Sequence, residues 1–279
     1  MIKNRLCCPL CLSAGSEQKL IVPLSNFINT NSTYDSGHLQ RLVQQVQDYR
    51  SIVSCRKCSF IYSEYTLTNK LNIYLYEKVI DWKKSFNKTK TAGKQREFRG
   101  VFDTIKPLLR EMEIKVLDYG CGWGDLLCMM KTCGYKNSYG FDISAKRLNW
   151  IRTRGINVLS SHELIEKNAP YNLIIAYQFL EHDPDFLETL YFLRSVLTDA
   201  GFLYVNVPNA SNMFQYDNQG NLILKSKSNK NVNPWEHVNY FSADTLRSAL
   251  EKTAFNIFDT HSLEEVTQLT STDCFAKKS

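Results

Sequence analysis

No stretch of this chain is long and apolar enough to suggest a membrane span. The longest runs without charge, such as Tyr171 to Leu180, reach only about half of the ~20 residues a spanning helix needs. The N-terminus, Met1-Ile2-Lys3-Asn4-Arg5-Leu6-Cys7, lacks the apolar core of a secretory signal, so the expected compartment is cytoplasmic. Glycine and proline are scarce, at 12 and 7 of 279 residues, which excludes collagen-like and linker-rich architectures. Hydrophobic residues at 43% and charged residues at 22% lie near globular averages and exclude a disordered chain. What remains is a protein long enough to bury a sizeable core without disulfides, as one large domain or two unequal ones.

Two features stand out from this ordinary composition, nine cysteines and a formal charge of +6. The charge is unevenly placed. Residues 1–77 carry 8 Lys/Arg against 5 Asp/Glu (+3), residues 78–110 carry 10 against 3 (+7), and residues 111–279 carry 16 against 20 (−4). Such an excess can hold a polyanion or can be a solvated helix face.

Pattern divides the chain into three. Residues 1–62 have paired cysteines, polar loops and few long apolar runs, the character of a small metal-stapled module. Residues 63–110 read as a helical linker or lid; Phe98, Val101, Phe102, Ile105, Leu108 and Leu109 recur at helical spacing. From 111 onward, short apolar strands (Val116–Tyr119, Ser138–Ile143, Asn157–Leu159, Leu173–Tyr177, Phe202–Val207) alternate with helical segments, predicting an α/β fold with a mostly parallel sheet. The helices expected are Trp123–Cys133, Ala145–Thr153, Ser161–Lys167 and Phe186–Leu197, with Ser144 and Asp185 as N-caps, and then one opened by Ser242. Phe255–His261 and Thr272–Lys277 read as a closing strand pair, antiparallel to part of the sheet.

The sharpest local signal is Val116-Leu117-Asp118-Tyr119-Gly120-Cys121-Gly122-Trp123-Gly124-Asp125. A strand ends in a carboxylate, the chain turns through Gly120, Gly122 and Gly124, and a helix follows. The dinucleotide fingerprint G-x-G-x-x-G fails in both registers, because Asp125 and Leu127 stand where its last glycine would be. Asp142 lies 22 residues after Gly120, close to the ~20-residue offset at which a second strand brings a carboxylate to a ribose diol. This arrangement resembles the first motifs of class I S-adenosylmethionine-dependent methyltransferases, over roughly residues 95–279. The resemblance implies a Rossmann-like sheet of seven strands with helices on both faces, and S-adenosyl-L-methionine (SAM) as cofactor. It implies cofactor contacts at Asp118, Gly120, Gly122, Gly124, Asp142, Ile143, Tyr177 and Gln178. It also places an adenine contact after the third strand, near Ser160, Ser161 or Glu163.

Two further stretches extend the resemblance. Tyr177-Gln178-Phe179-Leu180-Glu181-His182 looks like the family's turn after its fourth strand, where His182 suits either an active-site role or an interior hydrogen bond. Asn233-Pro234-Trp235-Glu236-His237-Val238-Asn239-Tyr240-Phe241-Ser242 is similar to the Glu-His-x-x-Tyr-Phe-Ser stretch of bacterial sugar methyltransferases. There His237 is the expected general base and Glu236 its partner or a ligand to a substrate hydroxyl. The C-methylating relatives carry a further C-terminal domain that this chain is too short to contain, so O-methylation is at least as well supported.

Cys8-Pro9-Leu10-Cys11 and Cys55-Arg56-Lys57-Cys58 are two C-x2-C knuckles separated by 43 residues, and two such knuckles complete a tetrahedral Zn²⁺ site. Cys7-x3-Cys11 is an alternative to the first pair, although Cys8 fits a symmetrical knuckle better. Cys121, Cys128, Cys133 and Cys274 read as buried thiols. The module is similar to the N-terminal zinc module of sugar and polysaccharide-pathway methyltransferases, whose zinc is structural. In that reading Tyr62, Tyr65, Tyr74 and Tyr76 are candidates for the substrate-facing side.

The partner expected is therefore a small molecule, a sugar or nucleotide-linked sugar. An RNA base acceptor is the alternative, held by the basic 78–110 segment with Trp82, Phe86 and Phe98. A SAM-binding module without turnover is a third reading.

Overall fold

A computed structural model describes residues 2–14, 18–23, 33–44, 46, 49–109, 111–226, 231–233, 235–259 and 271–278. Arg110, Pro234 and His261, which fall in the expectations above, lie outside these. The N-terminal part runs β1 (Ile2–Asn4), β2 (Gln18–Pro23), α1 (Ser36–Val43), β3 (Tyr49–Ser54), β4 (Ile61–Ser63) and β5 (Tyr65–Leu67). Three helices follow, α2 (Asn69–Tyr74), α3 (Trp82–Thr89) and α4 (Ala92–Ile105). Then strands and helices alternate: β6 (Val116–Tyr119), α5 (Asp125–Thr132), β7 (Ser138–Phe141), α6 (Ala145–Thr153), β8 (Asn157–Leu159), α7 (His162–Lys167), β9 (Tyr171–Tyr177), α8 (Phe186–Val196) and β10 (Leu197–Pro208). A small hairpin, β11 (Phe214–Tyr216) and β12 (Leu222–Leu224), precedes β13 (Asn239–Tyr240), α9 (Ala243–Lys252), β14 (Phe255–Asp259) and β15 (Ser271–Lys278).

Seven strands form one sheet in the order β14-β15-β10-β9-β6-β7-β8. The pairs among β8, β7, β6, β9 and β10 are parallel, whereas β15 runs antiparallel to both β10 and β14. The central strands are buried on both faces, as all four residues of β6 show, and so their sequences read as continuous apolar runs. Strand order reverses between β6 and β9, the crevice where open α/β sheets bind ligands at the carboxyl ends of their strands.

The described N-terminal residues pair and pack with later parts of the chain. β2, β3 and β4 make an antiparallel sheet whose fourth strand is β13, from far along the chain, with Asn239 opposite Tyr62 and Tyr240 opposite Ile61. Cys8, Leu10, Cys55, Phe60 and Tyr62 belong to the same buried cluster as Ile174, Phe186, Val205 and Phe241. Phe60 joins the two regions directly, its ring centroid 5.6 Å from Phe186 and 5.1 Å from Phe241. α4 docks on the sheet through Val101, Phe102 and Ile105, the stripe its sequence spacing predicts.

Helix ends correct several local expectations. α5 starts at Asp125 rather than Trp123, because its N-cap Gly124 is left-handed with φ 71°. Ser144 caps α6 by accepting from the Arg147 amide, and Ser242 and Thr245 form a reciprocal box at the start of α9. Asp185 stands before α8 with φ −110° and ψ 35° and makes no side-chain cap bond; its carboxylate faces Lys3 instead, at 3.5 Å. Cys133 follows the last turn of α5 and is exposed rather than buried, while Cys121 and Cys128 are half-buried and Cys274 is buried.

Candidate active site

The glycine turn after β6 is built by backbone that only glycine adopts easily. Gly120, Gly122 and Gly124 have φ of 83°, 56° and 71°. A Cβ on Gly120 would stand 2.5 Å from the Phe179 ring, whereas one on Gly122 would meet no other atom within 4 Å. The turn is fixed from the next strand: the amides of Gly120 and Cys121 both donate to the Phe141 carbonyl, at 2.8 and 2.9 Å, and the Gly122 amide donates to Asp142 Oδ2 at 3.0 Å. Asp142 also accepts from the Ser144 amide at 2.8 Å and pairs with Arg147 at 3.3 Å. The Arg147 guanidinium is sandwiched between the Tyr76 and Trp123 rings, 5.3 and 5.8 Å from their centroids.

On the other side of the turn, α3 and α4 close over the loop. Trp123 Nε1 donates to Ser85 Oγ at 3.0 Å, and Asp125 is held by Lys90 and by Gln95 Nε2 at 3.0 Å. Tyr177, at the end of β9, gives its hydroxyl to Glu97 of α4. Part of the basic 78–110 segment is thus tied to carboxylates of the fold itself.

A cavity of about 560 Å³ opens at the crevice. Gly120, Asp142, Ile143 and Gln178 form one wall and His182 and Glu236 another. Asp118, Gly122, Gly124, Tyr177 and His237 are not among the lining residues, although the His237 ring packs 4.7 Å from that of His182, which is. Of the four tyrosines named above, Tyr76 lines the cavity, Tyr74 bonds His38 Nδ1 at 2.8 Å, and Tyr62 is buried. After β8 the lining residue is His162, not Ser160, Ser161 or Glu163; Ser161 is spent capping α7. The imidazole of His162 takes a 2.7 Å hydrogen bond with the Tyr119 hydroxyl and packs 4.5 Å from Phe192, making an aromatic end to the cavity. Its position directly after the third strand was the available signal.

The far wall joins two distant segments. The Val238 and Asn239 amides donate to the Glu181 carbonyl at 2.7 and 3.1 Å, and Arg5 clamps the junction through Pro184 O and Asn239 Oδ1 at 3.0 and 2.9 Å. As a result the His182 and His237 rings lie 4.7 Å apart. His182 Nδ1 sits 3.0 Å from the Glu236 carbonyl and 3.1 Å from the Tyr76 hydroxyl, and His237 Nδ1 lies 2.6 Å from the Asn231 carbonyl. The Glu236 carboxylate makes no hydrogen bond to His237; it accepts from Tyr34 at 2.5 Å and Asn233 at 2.9 Å. Burial holds both imidazoles below their ordinary range, with the two rings' mutual repulsion adding to the effect at His182. Burial also pushes the Glu181 carboxyl up to about 8.

The four paired cysteines converge. Cys8 Sγ is 3.6 Å from Cys58 Sγ and Cys11 Sγ is 3.5 Å from Cys55 Sγ, with all four within 4.8 Å of one another. The two knuckles repeat one geometry: the Leu12 amide donates to Cys8 O and the Ser59 amide to Cys55 O, both at 2.8 Å, with φ of 60° at Leu12 and 59° at Ser59. Cys7 is exposed and outside the cluster. Although burial acts in the opposite sense, hydrogen bonds led by Ser13 lower the Cys11 thiol to about 6.

Asp118 is the buried acid beneath the turn. Burial, reinforced by the Asp142 charge, raises it from 3.8 to about 7. The folded chain therefore binds a proton that the unfolded chain has released, and this contribution to stability falls as pH rises from about 4 to about 7 and is flat above. Asp118→Asn, which is neutral at every pH, should exceed the wild type in urea resistance at pH 8, with the advantage vanishing below pH 4. Equal midpoints at pH 8 would contradict this account.

No curated protein matches the chain. Among solved structures it is similar to a SAM dependent methyltransferase from Archaeoglobus fulgidus, at 20% identity and a TM-score of 0.52, covering 69% of this chain and 98% of that one. It also matches a S-adenosylmethionine-dependent methyltransferase from Clostridium acetobutylicum ATCC 824 at 14% identity and a TM-score of 0.49, over 75% of this chain and 99% of that one. Magnesium protoporphyrin IX methyltransferase from Synechocystis PCC 6803, solved with bound SAM, matches at 15% identity and a TM-score of 0.47, over 76% and 92%. The Archaeoglobus likeness supports the fold. The model of a family described as a methyltransferase domain matches residues 93–260, more than half of the chain and the part that carries the glycine turn, Asp142 and the crevice, and the chain belongs to that family.

Proposed function

We propose that this is a cytoplasmic SAM-dependent methyltransferase acting on a small polyhydroxyl acceptor, a sugar or sugar precursor, with a structural zinc in its N-terminal part. The observation that carries the reading is the single cavity that joins Gly120, Asp142 and Ile143 to His182 and Glu236. The residues fit SAM: Gly120 lines the cavity with bare backbone, Asp142 would offer its carboxylate to a diol, and His162 with Phe192 offers an aromatic end for a base. When bound, SAM supplies an electrophilic methyl group on a sulfonium that is already a good leaving group.

The chain's own task is to align the acceptor and relieve it of a proton. The Glu236 carboxylate lines the cavity and suits a hydrogen bond from an acceptor hydroxyl. His237 donates Nδ1–H to Asn231 O, which leaves its Nε2 lone pair for the proton, and burial holds the neighbouring His182 neutral. Charge favours a neutral acceptor over a polyanion. Among the described residues the lining includes Asp142, Asp183, Asp185, Glu188 and Glu236 but a single guanidinium, Arg147, which is already paired with Asp142. That disfavours both RNA and a nucleotide-linked sugar whose phosphates enter this cavity.

The sulfur cluster suits zinc. Tetrahedral Zn–S bonds of about 2.3 Å put sulfurs about 3.8 Å apart, near the 3.5 and 3.6 Å found. Paired thiols used as ligands also fit a reducing compartment.

His237→Ala should lower kcat by about 10²-fold or more while SAM affinity changes less than about threefold. Methyl transfer would be followed from labelled SAM to a panel of sugars, and unchanged turnover on an accepted sugar would end the activation role of the histidine pair.

A further inference from the structure

Glu181 poses a problem that methyl transfer does not explain. It is 1% exposed, and among the described residues neither of its carboxylate oxygens has a hydrogen-bond partner. Its Oε1 lies 3.8 Å from His182 Nε2, beyond hydrogen-bond range. One ligand atom each of Glu181, His182 and His237 lie within 4.8 Å of one another.

The tautomers of both rings can be read from their partners. A carbonyl oxygen only accepts, so the Nδ1 atoms facing Glu236 O and Asn231 O carry the protons. Each ring then has an unprotonated Nε2. Three groups that can each offer a lone pair to a cation, two imidazole nitrogens and the Glu181 carboxyl, are gathered in one corner. A backbone carbonyl on the distal nitrogen is also the usual support for a metal-ligating histidine, fixing the ring and raising its basicity.

We infer that Glu181, His182 and His237 form a binding site for one divalent first-row transition-metal ion, with an open coordination position toward the cavity. Two histidines and a glutamate are a sufficient ligand set, and in such sites the remaining position is taken by water or substrate. Ligands about 2.1 Å from a tetrahedral centre stand roughly 3.4 Å apart, a separation that groups already within 4.8 Å of one another reach by small side-chain shifts. His182 lines the cavity, which gives the ion an entry path and gives the acceptor oxygen a place to bind. A hydroxyl bound there releases its proton to water more readily, because the cation stabilises the alkoxide. For this last step the inference rests on the proposed activation of the acceptor by the histidine pair: the pair then acts through the ion, and Nε2 of His237 holds the ion instead of the proton.

The test is a Mn²⁺ titration of the full chain followed by electron paramagnetic resonance. Mn²⁺ is chosen because it avoids thiolates, so the four-cysteine cluster does not contribute. The wild type should bind one equivalent, and Glu181→Gln and His237→Ala should each weaken binding at least tenfold. Circular dichroism checks their folding, and His237→Gln, close in size to the native residue, serves if either variant misfolds. Absence of bound Mn²⁺ in the wild type, with none for Co²⁺ beyond the cysteine site, overturns the inference, as does binding unaltered in the variants. Loss of turnover in His237→Ala with no Mn²⁺ site leaves the activation reading and removes the ion. An intact Mn²⁺ site, lost on substitution while His237→Ala turns over normally, retains the ion and removes the activation reading.

Discussion

Cys55→Ser combined with Cys58→Ser lowers the melting temperature of the zinc-loaded chain by about 10 °C or more, and the chain melts in one transition. Metal ligation by four thiolates supplies on the order of 10 kcal/mol to folding, comparable to the whole stability of a typical domain. Loss of even several kcal/mol shifts a chain of this size by roughly 2–4 °C per kcal/mol. The single transition follows from packing. Cys8, Cys55, Phe60 and Tyr62 share one buried cluster with Phe186, Val205 and Phe241, so the knuckles cannot loosen without opening the face of the parallel sheet. Phe60 alone, buried between Phe186 and Phe241, would cost about 3–5 kcal/mol if truncated to alanine. Circular dichroism and calorimetry distinguish the outcomes: a two-step melt whose main transition stays at the wild-type temperature would mean that the module folds apart from the sheet.

Asp142→Ala weakens SAM binding by about 10²-fold or more. The carboxylate has two tasks, and both are lost. It positions the turn, accepting from the Gly122 and Ser144 amides at 3.0 and 2.8 Å, and it is the acceptor proposed for the ribose hydroxyls. A hydrogen bond to a charged group contributes about 1.5–3 kcal/mol, so two of them exceed a hundredfold in affinity. The substitution also leaves the Arg147 guanidinium, packed between Tyr76 and Trp123, without its carboxylate. Asp142→Asn keeps the shape without the charge and should fall between. Calorimetric titration with SAM is the measurement, and an affinity within threefold of wild type would remove Asp142 from the ribose.

The parallel sheet was legible because its strands carry their burial in the sequence. Tyr171–Tyr177 and Val116–Tyr119 are near-continuous apolar runs that need both faces covered, and the three glycines mark a turn that no other residue makes cheaply. The paired cysteines were legible for a similar reason, since ligand spacing is local. What escaped was set by distance along the chain. β4 and β13 are strands of three and two residues whose pairing joins Tyr62 to Asn239, and nothing in either short segment names the other. The Glu181–His182 dipeptide was visible as a pair, but the burial of Glu181 and the approach of His237 depend on the Val238 and Asn239 amides reaching its carbonyl. A buried carboxylate without partners has no signature in composition or periodicity. Asp185 stands at the expected N-cap position of α8, but its carboxylate faces Lys3 rather than a helix amide.

Between α2 and β13 the roof of the cavity is anchored at both ends. On one side β13 is stitched into the N-terminal sheet; on the other, the α2 helix continues into a wider turn at Leu75–Val79, where the Ile80 amide reaches the Leu75 carbonyl at 2.9 Å. That turn delivers Tyr76 to the cavity and Glu77 to Ser144 Oγ, at 2.7 Å. The turn that carries Tyr76 is therefore fastened, through Glu77 and Ser144, to the same strand-to-helix junction that holds Asp142, so the two sides of the cavity share one anchor.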